Sequence, residues 1–578
     1  MSRESHHKPW YYRPRVLLSA LLALLLALAL FAIADNAANR GITYSPSPPP
    51  IAWADVPQLG VNAYNIQYEA DPAKVTRTLE LARDLGAQYV RIQMPWEDIE
   101  ISAKGDFVDH KHNKDAWAKY DAIVAEADRL GLELIARLDR PPAWAREIAN
   151  ATPEFQEGLA RDGNSTGPPD EVEDYADFVR AVAGRYRGKL RFIQIWNEPN
   201  LKNEWNWRTP APIEFLELLR AGYLAAKEAN PEAVILFPSL SPTDGRDKKA
   251  PMTELEYLDR IYALGGRAYF DIMSAQAYGL GQPPDEHRYI RPRLLPDRPI
   301  DTRIDVSRVV LLREVMEHNG DAGKAIWISE FGYNSAPEHQ PGADQQSWPT
   351  RRLNWGQPVS EELKGDYLVG QLERARAEWP WIGVMNVWLL RWGGPDPDPN
   401  DPTPYFALVE QDFTPLPAYN KLKSFMSMGS LAGVGAHAWS HPAVSGVGAN
   451  TWQVRFEGTS FALLDVRGPV EVALDGQPAT ALNPLMERNV RPVADGLTDG
   501  QHVVVIQSAN GPPSGFLVGR AAPLPWLWAL APGILIVAIV LVGALLGRHF
   551  IAQRTQSSPP WSPTWSIRRS RLPSASIR

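Results

Sequence analysis

The stretch Phe192-Ile193-Gln194-Ile195-Trp196-Asn197-Glu198-Pro199-Asn200 runs from an apolar strand straight into an Asn-Glu pair and is stopped by Pro199, whose missing N–H cannot continue a sheet ladder. A second stretch, Ile326-Trp327-Ile328-Ser329-Glu330-Phe331-Gly332-Tyr333, repeats the design, an apolar strand ending in a glutamate. The two glutamates are 132 residues apart, which equals three βα units of 44 residues. Outward from these stretches, further apolar runs predict strands at Leu59–Ala63, Gln88–Gln93, Glu133–Leu138, Val234–Pro238, Tyr269–Ala275 and Gly383–Leu389; with Phe192–Trp196 and Ala325–Glu330 they make eight. Helical periods lie between them, at Pro72–Leu85, Tyr120–Leu130, Tyr175–Tyr186, Ile213–Asn230 and Leu363–Trp379. Strand–helix alternation implies a parallel sheet, and eight repeats over residues 56–428 fit an α/β fold of the closed (β/α)8 TIM barrel type. The rival, an open doubly wound sheet, would carry a glycine-rich first turn, and Gly60-Val61-Asn62 is not one. In the barrel, Glu198 falls at the C-terminal rim of strand four and Glu330 at that of strand seven, where catalytic groups sit.

Two carboxyl groups across a barrel mouth are the equipment for cleaving a glycosidic bond: one donates a proton to the leaving oxygen, the other attacks the anomeric carbon. The Trp196-Asn197-Glu198-Pro199-Asn200 motif and the Glu330-Phe331-Gly332 motif resemble those of glycoside hydrolase clan A, the 4/7 superfamily, and within it family 5 cellulases and family 39 xylosidases. The resemblance spans the barrel and not the termini. It implies a retaining O-glycoside hydrolase acting by double displacement on β-linked oligo- or polysaccharides, with Glu198 as acid/base, Glu330 as nucleophile and carboxyl groups about 5–5.5 Å apart. It further implies that Arg91 stands beside the nucleophile and favours its charged form, that Asn197 bonds the 2-hydroxyl of the sugar under attack, that Tyr278 orients the nucleophile and that Trp388 floors the sugar site. Trp96 and Trp144 are expected as rim contacts, and Trp205 and Trp207 either line further subsites or pack the rim. Asp139-Arg140 occupies the strand-three exit, where some family 5 enzymes carry a histidine. No cofactor or metal is implied. A transglycosylase that remodels surface polysaccharide, or a non-catalytic carbohydrate-binding surface protein on the same barrel, are the alternatives.

The remaining sequence bounds the setting. The 578 residues carry 59 basic and 67 acidic side chains, a net charge of −8, which argues against a nucleic-acid partner. There are no cysteines, so disulfides, iron–sulfur clusters and thiol nucleophiles are excluded. The 21 tryptophans suit flat-faced ligands such as sugars, or a large core. The acidic run Asp396–Asp401 lacks the glycine and distal glutamate of a calcium loop, and the histidines show no metal-ligand spacing. Residues 431–522 switch to short strands with Gly, Asn, Asp and Pro turns, including Thr451–Phe456, Ser460–Val466, Val470–Leu474, His502–Gln507 and Gly515–Val518, which predicts a small β-sandwich.

Two hydrophobic segments flank these domains. Residues 16–34 follow a basic segment, 1–15, and predict either a transmembrane anchor or a cleaved signal peptide. A proline-rich linker, 35–55, comes next. Residues 524–547 predict a transmembrane helix, and 548–578 form a basic tail that the positive-inside rule places in the cytoplasm. The expectation is a membrane-anchored protein at the cell membrane, its catalytic domain extracytoplasmic, with carbohydrate as the partner. Its oligomeric state has no signal in the sequence.

Overall fold

The computed structural model describes residues 14–39, 50–54, 58–162, 166–245, 249–285, 304–482, 489–521 and 525–556. Eight parallel strands, β1 (Gln58–Asn62), β2 (Tyr89–Pro95), β3 (Glu133–Asp139), β4 (Phe192–Ile195), β5 (Val234–Leu236), β6 (Met273–Gln276), β7 (Ile326–Phe331) and β8 (Ile382–Val387), form one sheet in the order β5-β4-β3-β2-β1-β8-β7-β6. Its two ends meet: Leu236 bridges Ile272 in parallel, and Phe237 N donates to Ile272 O at 2.9 Å. The expected barrel is therefore present. β6 starts later than the sequence suggests because Gly266–Tyr269 form a 3₁₀ turn.

Each strand is followed by a helix: α1 (Pro72–Leu85), α2 (Ala118–Leu130), α3 (Val172–Arg185), α4 (Pro212–Ala229), α5 (Glu254–Ala263), α6 (Arg308–His318), α7 (Glu361–Glu378) and α8 (Pro417–Ser427). Their ends are written in the sequence. Asp71 accepts from Ala73 N at 2.9 Å ahead of Pro72, and Gly86 closes α1 with φ 92°; Thr253 and Ser360 cap α5 and α7 in the same way.

The barrel interior changes character from bottom to top. At the strand starts, Tyr89, Phe192 and Trp327 are in mutual ring contact at 4.8–5.7 Å. Trp53 closes this end, edge-on to Phe192 at 5.7 Å, with its carbonyl accepting from Trp327 Nε1 at 2.8 Å and the Arg191 guanidinium 4.4 Å from its ring centre. A side chain on Gly383 would strike both Trp53 and Trp327, so the second residue of β8 must be glycine. One level up, Asn62, Arg91, Gln194 and Asn386 replace the rings with buried polar groups. Residues 51–54, expected within the linker, thus belong to the barrel floor, while 40–49 and 55–57 lie outside the described residues.

After the barrel, nine strands, β9 (Gly435–Ala438), β10 (Val444–Gly448), β11 (Thr451–Gly458), β12 (Ser460–Leu464), β13 (Val470–Leu474), β14 (Thr480–Leu482), β15 (Val490–Ala494), β16 (Gly500–Ser508) and β17 (Gly515–Gly519), form two antiparallel sheets, β9-β17-β12-β15 and β10-β11-β16-β13-β14. Phe456, Phe461 and Phe516 make their shared core, with ring centres 4.8 and 5.5 Å apart. Arg376 of α7 ties this sandwich to the barrel through Glu457 at 2.9 Å.

The flanking segments require correction. They are helical, Pro14–Asn39 and Pro525–Gln556, and form a compact unit of their own. Among the described residues no helix is long and apolar enough to cross a membrane. The expected membrane segments at 16–34 and 524–547, and with them the membrane anchor and the extracytoplasmic placement, are overturned. The basic segment 1–13 and the tail 557–578 lie outside the described residues.

Candidate active site

Glu330 ends β7, a strand buried along its whole length. Arg91, in the middle of β2, donates from Nη1 to Glu330 Oε1 at 3.0 Å and to Asn62 Oδ1 at 2.8 Å, and from Nε to Gln194 Oε1 at 3.0 Å. Those acceptors are themselves held: Asn62 Nδ2 donates to Ser329 O at 2.9 Å, and Gln194 Nε2 to Trp196 O at 2.8 Å. The other oxygen of Glu330 accepts from Tyr278 Oη at 3.0 Å. Burial and the neighbouring carboxylate push the Tyr278 phenol well above its ordinary range, so it stays a donor. Glu330 therefore has one firm donor per oxygen, one of them a guanidinium in a braced geometry.

Glu198 sits directly after β4 in a different environment. The chain reaches it through residues with positive φ, 67° at Trp196 and 38° at Glu198, a strained backbone that sites tolerate when the surroundings hold it. Its carboxyl is half-buried. Gln276 Nε2 donates to Oε1 at 2.7 Å, and Asn197 Nδ2 lies 3.5 Å from Oε2. Among the described residues no cation pairs with it. Burial and the charge of Glu330 push Glu198 up to about 7, against smaller downward effects of the Gln276 bond and Arg137. Gln276 and Tyr278 stand two residues apart at the end of β6, one serving Glu198 and the other Glu330, so both carboxyls open into one mouth.

Of the remaining expected residues, Asn197 is buried and its Oδ1 has no partner. Trp388, whose peptide to Leu389 is cis, is half-buried at the end of β8 with its ring 5.0 Å from that of Tyr64, which in turn lies 5.2 Å from Trp392. Trp96 is not brought to the rim. The 3₁₀ turn Trp96–Asp98 swings it onto α3, where it is fully buried, stacked on Phe178 at 5.4 Å, with Nε1 donating to Glu100 at 2.6 Å; no ring face is left for a sugar. Trp144 is half-buried, edge-on to Trp96 at 5.5 Å and tied to Glu100 O at 2.8 Å. Trp205 and Trp207 are buried packing groups. Among the described residues no cluster of His, Asp and Glu could hold a metal. Most of the loop between Tyr278 and Asp305 lies outside the described residues.

Several site residues escaped the sequence analysis. Gln276 and Tyr278 share an alternation that a strand imposes, and that was the available signal for Gln276. Arg137 interrupts the apolar run Leu134-Ile135-Ala136 of β3; its Nε lies 2.8 Å from Asp139 Oδ2, and Gln93 Nε2 donates to Asp139 Oδ1 at 2.8 Å. Arg140 pairs with Glu97 at 2.6 Å. Glu204 follows the acid motif on a 3₁₀ turn; burial, then the charges of Glu198 and Asp139, push its carboxyl up to about 8. Nothing in its sequence context marks it.

No family model matches this chain, and no curated protein matches it. Solved structures do. The chain is similar to a family 39 glycoside hydrolase from the gut symbiont Bacteroides cellulosilyticus WH2, at 16% identity, TM-score 0.47, covering 79% of this chain and 83% of that one. It is similar to a monomeric beta-xylosidase from Caulobacter crescentus CB15, at 14% identity, TM-score 0.43, covering 80% and 97%. A GH5_18 enzyme from Streptomyces cattleya in complex with Manβ1-4GlcNAc is similar at 16% identity, TM-score 0.43, covering 64% and 79%.

Proposed function

We propose that this chain is a retaining O-glycoside hydrolase that cleaves β-glycosidic bonds by double displacement. The observation that carries the proposal is the division of labour between two carboxyls in one mouth: Glu330 held by a guanidinium and a phenol, Glu198 without a cation and pushed up to about 7. Environments that separate two carboxyls in this way assign the acid and the nucleophile.

In the first step a Glu330 oxygen attacks the anomeric carbon while protonated Glu198 gives its proton to the departing glycosidic oxygen. The bond to the leaving group breaks and a glycosyl ester of Glu330 forms. In the second, Glu198, now ionised, takes a proton from water, whose oxygen displaces Glu330 from the same carbon; the sugar leaves with its original configuration and Glu198 is protonated again. Asn197, with a free buried Oδ1, is the partner for the 2-hydroxyl, and the half-buried Trp388 the stacking floor.

The test uses the full chain with 4-nitrophenyl β-glycosides. Glu198→Ala should slow turnover by roughly 10²–10⁴-fold, and added azide should restore release of 4-nitrophenol as a β-glycosyl azide forms at the open acid/base site. An α-glycosyl azide, or no effect of either glutamate on turnover, defeats the proposal.

A further inference from the structure

Arg137 is a cation inside the barrel mouth whose bonding capacity the protein does not use. Its side chain is 13% exposed, and its ion-pair contact among the described residues is through Nε to Asp139. The two terminal nitrogens donate to no protein acceptor among the described residues. Two neighbouring polar atoms, Arg91 Nη2 and Asn197 Oδ1, are buried without a partner. In strand register Arg137 stands between Gln93 of β2 and Gln194 of β4, and it acts electrostatically on Glu330, Glu204 and Tyr64 as well as on Asp139. Asp139 is fixed from its far side by Gln93 at 2.8 Å, so the guanidinium is aimed from a rigid base. A guanidinium whose terminal nitrogens make no bond to the protein can direct them at acceptors on a ligand.

We propose that Arg137, oriented by Asp139, is a specificity-determining residue that binds hydroxyl oxygens of an uncharged sugar at the reacting centre. The class follows from the surrounding charge. Asp139 already meets the charge of Arg137, and the next acidic groups around it are Glu204 and Glu330; a uronic-acid carboxylate would enter among three protein carboxyls, whereas a hydroxyl accepts from Arg137 without adding a negative charge. This inference rests on the glycosidase proposal.

The experiment measures kcat/KM of the full chain on 4-nitrophenyl β-D-xyloside, glucoside, galactoside, mannoside and glucuronide, then on the monodeoxy analogues of the best of these. Arg137→Met and Arg137→Lys are compared with wild type, with Glu330→Gln as the blank. The expected result is a neutral glycoside as best substrate, a loss of about 100-fold in Arg137→Met on it, and a much smaller loss on one deoxy analogue, the one missing the bonded hydroxyl, with partial recovery in Arg137→Lys. A purely structural role would lower all analogues by one common factor, which overturns the inference while the wild-type activity keeps the glycosidase proposal standing. Preference for the glucuronide overturns the uncharged class. Wild type no better than the Glu330→Gln blank on every substrate defeats the glycosidase proposal and this inference with it. Thermal melts of both variants separate loss of fold from loss of contact.

Discussion

The two ends of this barrel are built on opposite rules. At the floor, Tyr89, Phe192, Trp327 and Trp53 fill the interior with rings, and the polar atom of Trp327 is paired. At the mouth, buried polar atoms of Arg91 and Asn197 are left without partners, two half-buried carboxyls are pushed toward neutrality, and the backbone at Trp196 and Glu198 enters the left-handed region. The floor lowers the free energy of the folded chain; the mouth raises it and holds that cost ready for a ligand. Stability and function are therefore separable by position, within about one strand length.

The strongest test of that separation is Glu330→Gln. Turnover should fall by roughly 10⁴-fold or more, while the melting temperature stays the same within a few degrees; a collapse in melting would make Glu330 part of the scaffold. Phe192→Ala inverts the pattern. It should cost about 3–5 kcal/mol in denaturant unfolding, with kcat unchanged at temperatures where the variant is folded.

Glu204→Gln sharpens the comparison through pH. The folded-state carboxyl titrates near 8 against an ordinary 4.5, so the folded chain binds more protons than the unfolded one between those values, and the contribution of Glu204 to stability is lost as pH rises through that window. The variant should match wild type at pH 4.5 and be the more stable by about 1 kcal/mol or more at pH 8.5, read from paired melts; equal stability at both pH values would contradict the burial of this group. Smaller still is the effect of Gln276→Leu. Its amide favours the ionised form of Glu198, so removing it should move the alkaline limb of kcat/KM, near 7 in wild type, upward by about half to one pH unit. A downward move would mean that Glu198 is not the group titrating. Trp96→Phe, at the bottom of the scale, should leave KM unchanged, because the ring it replaces faces α3 and no substrate.

What the sequence disclosed follows the same divide. Apolar runs at regular spacing betray strands because the floor and walls of the barrel need them, and Glu198 and Glu330 stand out because each terminates such a run. Arg91 and Tyr278 are each bonded to Glu330. Trp96 misled, since its chemistry suits a sugar face equally well and only the 3₁₀ turn behind it decides which way the ring points. Arg137 and Glu204 were illegible: a lone charge in or after a short strand carries no mark of whether it faces solvent, helix or mouth. The terminal segments misled for another reason. A hydropathic run in a sequence does not state whether the helix it joins meets the length and the apolarity of a span together.

The seam of the barrel has a practical corollary. β2 and β3 pair over seven residues, but β5 and β6 meet through one bridge and a few backbone bonds. A chain divided in the turn after α5, near Gly265, would place Glu198 on one piece and Glu330 on the other, with most of the strong ladders kept inside each piece. Neither half could act alone, and mixing them would report their reunion as released product, making this barrel a two-part sensor whose signal is the meeting of its halves. Product from either half by itself would show that the divided carboxyls are not both required.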